Sequence, residues 1–246
     1  MNNNIKKYLK NSFKLCYKNN NIFFSKIKSF VLRRKKLRIS YINVIRSYWN
    51  RFCINFLYNK INLKKKFNNK NPIIIDVGFG NGRKLYFDVK KNLNINFLGI
   101  EVYIKGVIYC LKKCNENGLE NLKIIFYDAF KVFKYMILNN SIFKIQIFFP
   151  DPWEKKKHKK RRLINLFFLF LLREKLLKDG ILHIITDSKD YYKNVKKNIK
   201  IIGGFKKFFF ISNNKFINKN LFCYTKYEKK AKNVKKSIYN LIYIKT

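Results

Sequence analysis

Ile73-Ile74-Ile75-Asp76-Val77-Gly78-Phe79-Gly80-Asn81-Gly82 is the stretch that decides the architecture of this chain. A short run of branched apolar residues, broken by a single acid, reads as a strand buried on both faces. Three glycines at alternating positions then impose a tight turn, and glycine lets backbone N–H groups approach a ligand closely. The chain has only 9 glycines in 246 residues, so three in one turn is a local concentration.

Outward from this turn the same grammar repeats. Strands are predicted at Ile73–Val77, Phe97–Val102, Leu122–Tyr127, Ile142–Phe149, Ile181–Thr186, Phe205–Ile211 and Ile238–Ile244. Helices are predicted between them, including Tyr103–Asn117 and Arg161–Lys178, the second closed by a left-handed cap at Lys178-Asp179-Gly180. Alternating β and α elements make a parallel sheet covered by helices on both faces. Right-handed crossovers bring the C-terminal ends of the parallel strands to one rim, where ligands of α/β sheets bind.

Scarce acids stand at successive strand ends. Asp76 precedes Gly78, Gly80 and Gly82; Glu101 ends the second strand, Asp128 follows the third and Asp151 follows the fourth. The last glycine gap is one residue, not the two of the dinucleotide fingerprint GxGxxG. That spacing favours S-adenosylmethionine, which has no pyrophosphate to cradle, and carboxylates suit its cationic sulfur. Glu101 is placed to accept from ribose hydroxyls, and Asp128 either accepts from an adenine amino group or caps a helix, or does both.

The fourth strand runs into Phe148-Phe149-Pro150-Asp151-Pro152-Trp153-Glu154-Lys155 and then a basic run to Arg162. Proline fixes φ and cannot donate to a sheet, so the chain leaves the strand in a stiff turn. That turn carries a carboxylate and an aromatic ring beside a polyphosphate-binding segment. His158 reads as a polyanion contact and His183 as a packed strand residue; Trp153 either stacks on a base or braces the turn.

Composition points the same way. Lys and Arg total 56 against 13 Asp and Glu, a formal charge of +43, and residues 1–75 contain no acid. Such a chain suits a polyanionic partner, because each cation placed on a phosphate releases a counterion. The abundance of Lys, Asn, Ile, Phe and Tyr also reflects AT-rich codons, of a bacterial genome or of an organelle-bearing source. The five cysteines (Cys16, Cys53, Cys110, Cys114, Cys223) form no CxxC pair and read as small apolar residues, so no metal site is expected. The longest apolar run, Leu163–Leu172, is too short for a membrane span, and no signal peptide is visible, although an acid-free basic N-terminus also suits a transit segment. Residues 1–22 read as a disordered basic tail, 23–70 as a basic arm, helix and polar linker, and 71–246 as the catalytic domain.

In this order the segments Asp76–Gly82, Gly99–Val102, Asp128-Ala129, Phe148–Lys155 with its basic tail, Thr186-Asp187 and Thr225–Glu228 closely resemble the bacterial tRNA (guanine-N7-)-methyltransferases. Ser29–Arg34 and Tyr48-Trp49 extend the resemblance to the N-terminal part. It implies a class I methyltransferase fold of seven strands with an antiparallel last strand, S-adenosylmethionine as methyl donor, and guanosine 46 in the variable loop of tRNA as target. By position Asp76, Glu101, Asp128 and Asp151 match the family's cofactor-site acids, and Asp151 its active-site residue. Lys155, Asp187, Thr225, Lys226, Tyr227 and Glu228 match substrate-binding positions; Lys157, His158, Lys159, Lys160, Arg161 and Arg162 match the RNA-contacting segment. A cytoplasmic enzyme is implied, read as a monomer with a homodimer also open. Other readings are a different RNA methyltransferase of this fold and a non-catalytic tRNA-binding relic. The chain departs from the family at Asp76, where Glu is frequent, at Glu154, where His is common, and at Tyr227, where Phe is usual.

Overall fold

The computed structural model describes Phe30, residues 38–208 and residues 237–246. Among the described residues a seven-stranded sheet runs in the order β3-β2-β1-β4-β5-β7-β6. The strands are β1 (Ile73–Val77), β2 (Asn96–Ile100), β3 (Leu122–Ile125), β4 (Ile142–Phe148), β5 (Leu176–Thr186), β6 (Phe205–Lys207) and β7 (Tyr239–Lys245). Neighbours from β3 to β5 pair in parallel, while β7 pairs antiparallel with both β5 and β6. Strand order reverses between β1 and β4, which opens the crevice where a ligand enters such a sheet.

Two cores follow from the alternation of side chains along buried strands. On one face Ile75, Val77, Ile145, Ile147, Leu182 and Ile184 pack with α5 (Ala129–Tyr135), α6 (Leu166–Lys175) and α7 (Lys189–Ile202). On the other, Ile74, Phe97 and Ile124 pack with α1 (Ile39–Phe52), α3 (Arg83–Lys91) and α4 (Ile104–Glu116). In α7, Tyr191, Val195 and Ile199 recur one turn apart on the inner face; the Ser188 hydroxyl caps the helix by accepting from the Tyr191 N–H at 3.3 Å.

Residues 39–67 are built into this domain. Ile45, Trp49 and Phe52 of α1 are buried, each contributing about 2–3 kcal/mol of transfer free energy. The chain then bridges to the sheet side through Ile54 N–H to Ile124 O (2.8 Å) and Ile61 N–H to Met136 O (2.9 Å). The expected polar linker Lys60–Asn71 holds a short helix, α2 (Leu63–Phe67), capped by Asn62 and burying Leu63 and Phe67.

The helix predicted over Arg161–Lys178 is shorter. A 3-10 helix occupies Lys156–Arg161, α6 starts after its Asn165 cap, and the chain passes into β5 at Leu176. Lys178-Asp179-Gly180 therefore does not cap a helix. Ile142 pairs with Leu176 and Lys144 with Ile181, so these residues bulge out within β5, with Asp179 at φ 61. Beyond Phe208 the predicted sixth strand lies outside the described residues. His183 is packed as expected, with Nε2 2.9 Å from Asn240 Oδ1 and its ring edge-on to Phe148.

Candidate active site

The C-terminal ends of β1 to β5 assemble the site. After β1, Gly78, Gly80 and Gly82 all take positive φ. The Gly80 N–H donates to Glu101 Oε2 at 2.6 Å, while Glu101 Oε1 accepts from the N–H groups of Val102 (2.6 Å) and Tyr103 (2.9 Å). Glu101 thus ties the glycine loop to the start of α4. The loop can lie on that helix because residue 106 is glycine: a Cβ there would sit 1.7 Å from the Gly80 carbonyl oxygen. On the opposite side, a Cβ at Gly78 or Gly80 would meet nothing within 4 Å, so the loop presents an open backbone surface.

Asp76 lies within β1, 3% exposed, opposite Gln146 of β4. It accepts from Gln146 Nε2 at 3.0 Å. Burial pushes its carboxyl up to about 6; Lys84 and Gln146 pull it down, while Asp88 and Glu101 push it up. Burial also raises Glu101, against the three backbone hydrogen bonds, and the negative charge of Asp151 adds to the rise. The charge of Glu101 thus acts on Asp76, and that of Asp151 acts on Glu101. Asp128 caps α5, accepting from the Lys131 N–H at 2.9 Å.

Asp151 is exposed between Pro150 and Pro152, in a turn where Phe149 (φ 51) and Trp153 (φ 44) occupy the left-handed region. Trp153 packs on the chain's own basic helix, edge-on to His158 at 5.9 Å and under the Arg161 guanidinium at 5.0 Å. Partial burial, then the charges of Arg161, Lys157 and Lys155, hold the His158 imidazole below its ordinary value. Lys155, Lys157, Lys160 and Arg161 are exposed, and Lys159 pairs with Asp190 at 2.9 Å. Arg162, the last residue of the expected phosphate track, is buried and turned inward onto Pro152 and Asp190. Asp187 follows β5 on the same rim, next to the Ser188 cap. Thr225, Lys226, Tyr227 and Glu228 lie outside the described residues.

Residues 70–241 match the family model described as "Putative methyltransferase" (Methyltransf_4). A tRNA (guanine-N(7)-)-methyltransferase of Buchnera aphidicola subsp. Schizaphis graminum is 40% identical over 92% of this chain and 95% of its own length. One from Vibrio vulnificus is 39% identical over 69% of this chain and 72% of its own. This chain belongs to the tRNA (guanine-N7)-methyltransferase family.

A crystal structure of the 16S rRNA methyltransferase KamB overlays with a TM-score of 0.55 at 9% identity, covering 80% of this chain and 99% of that one, and shows the shared class I fold. The family's methyl donor is S-adenosylmethionine, and the residues present fit it. An open glycine loop faces the crevice, and the carboxylates there are raised by burial and mutual repulsion. A cationic ligand relieves that repulsion, whereas an anionic pyrophosphate would add to it.

Three contributors escaped the sequence reading. Gly106 carried a signal, being one of few glycines and inside a predicted helix. Gln146 carried a weaker one, an amide within an apolar strand. The inward turn of Arg162 had none, because nothing in an unbroken basic run distinguishes its last member.

Proposed function

We propose that this chain methylates N7 of a guanosine in tRNA, at position 46 of the variable loop, with S-adenosylmethionine as donor. The observation that carries the reading is the shared rim: an exposed aspartate, whose charge acts on Glu101 beside the glycine loop, stands directly before an exposed basic helix. Asp76, Glu101 and Asp128, with the glycine loop, would hold the donor. When bound it supplies a methyl group on a cationic sulfur, which leaves as a neutral thioether.

Guanine N7 carries a lone pair and no proton at neutral pH, so no side chain has to remove one. The residues' work is orientation and charge. Asp151 accepts from the guanine N1–H and amino group, which selects guanine over adenine. Its negative charge also stabilises the cation that develops on the purine, more in the transition state than before it. Lys155, Lys157, Lys160 and Arg161 hold phosphates while the target base is splayed out of the tRNA core. We read the catalyst as a monomer acting in the cytoplasm, with the tRNA pool.

The test is methyl transfer from tritiated S-adenosylmethionine to unmodified tRNA, followed by nucleoside digestion. Label in 7-methylguanosine is expected; label in any other nucleoside, or none, contradicts the reading.

A further inference from the structure

The turn that carries Asp151 is held in a conformation its own residues disfavour. Phe149 and Trp153, both bulky and neither glycine, take φ 51 and φ 44. Both are disfavoured in that region, and such backbone persists only where its surroundings over-determine it. Two prolines between them stiffen the segment without supplying a single N–H to anchor it. Two anchors come from outside. On the strand side, the Phe149 N–H donates to Ile185 O at 2.8 Å. On the far side, Arg162 Nε donates to the Pro152 carbonyl at 2.8 Å.

Arg162 is itself fixed from three directions. Its Nη2 donates to Asp190 Oδ2 at 2.5 Å, and its guanidinium lies 4.7 Å from the centroid of the Tyr191 ring. Tyr191 is fully buried, and its hydroxyl accepts from the Ile164 N–H at 2.9 Å. Lys159 reaches the same Asp190 oxygen, so one carboxylate at the start of α7 ties down both the middle and the end of the basic segment. The planar fork of arginine is suited to such bracing, since one edge reaches a carbonyl, another a carboxylate, and the face lies on an aromatic ring.

We infer that Arg162, anchored by Asp190, is a positioning residue that aims Asp151 by clamping the Pro152 carbonyl to α7, and is not a phosphate contact. This rests on the tRNA methyltransferase reading for the reaction that Asp151 serves; the clamp itself does not. A catalytic group displaced by about 1 Å loses on the order of a hundredfold in rate, so the effect belongs in turnover rather than in binding.

Arg162→Lys keeps the charge but lacks the fork. It is expected to lower kcat about 30-fold while KM for tRNA and donor affinity stay within about threefold. Asp190→Asn, at a carboxylate whose side chain is 58% exposed, is expected to lower kcat about tenfold with little change in melting temperature. In both, tryptic cleavage after Lys155–Lys160, mapped by mass spectrometry on the intact folded chain, accelerates severalfold. Should Arg162→Lys fail to fold, Asp190→Asn alone decides. Unchanged kcat overturns the clamp, as does a rise in KM for tRNA at constant kcat, which would return Arg162 to the phosphate track. Parent protein that transfers no methyl to tRNA defeats the functional reading instead. The cleavage rates then judge the clamp, and rates equal to the parent's overturn it.

Discussion

The two halves of the functional rim are built in opposite ways. On the β1–β3 side, Asp76 and Glu101 are buried and held mostly by amide donors: the Gln146 side chain for one, three backbone N–H groups for the other. On the β4–β5 side, Asp151 is exposed on a strained turn, held in place by a guanidinium and a carboxylate from more distant segments. Buried carboxylates are insensitive to salt but costly to ionise, so the first half responds to pH. Exposed cations are screened, so the second half responds to ionic strength.

The largest effect is expected at the strained turn. Asp151→Ala should lower kcat at least about 100-fold with tRNA affinity nearly unchanged, measured by single-turnover methylation beside filter binding. A loss confined to affinity would make Asp151 a binding residue only.

Next comes Asp76. Its folded-state pKa, about 6, lies above its unfolded value near 3.8. The stability this confers is full below the unfolded value and lost as pH rises through about 6, a swing on the order of 3 kcal/mol. Asp76→Asn should therefore bind the donor about 30-fold more weakly, by calorimetry, yet unfold about 2 kcal/mol later in denaturant at pH 7.5. That advantage should vanish near pH 4. An equal gain at both pH values would show that its ionisation is not the cause.

A smaller change belongs to the cationic half. Replacing Lys157, Lys160 and Arg161 with Ala should weaken tRNA binding about tenfold near 0.1 M salt and flatten the slope of log K against log salt by about three. A parallel, unflattened line would remove these residues from the phosphate contacts. Smallest of all, Glu120→Gln breaks an exposed pair with Arg51, 3.1 Å apart and remote from the rim, and should shift the melting temperature by no more than about 1–2 °C.

The same division explains what the sequence disclosed. The sheet was legible because each strand is a short apolar run and the scarce acids stand at strand ends. Strand boundaries held closely from β1 to β4, since apolar runs stop where the rim begins. The start of β5 was not legible: Lys178-Asp179-Gly180 has the composition of a helix stop, and only pairing with Ile142 marks it as a bulge. The polar linker hid α2 because two apolar residues among lysines give too little periodicity. Arg162 and Asp190 are far apart in sequence, and an inward turn of one arginine among eight basic residues is a tertiary fact. Local pattern reveals the backbone-held half of the rim; the half held by side chains from distant segments needed the fold.

The most direct test of the account is methyl transfer to two tRNA transcripts, one native and one carrying 7-deazaguanosine at position 46. Label on the native transcript alone is predicted, since the variant lacks the attacking nitrogen at that base. Equal label on both would contradict the assigned base and atom.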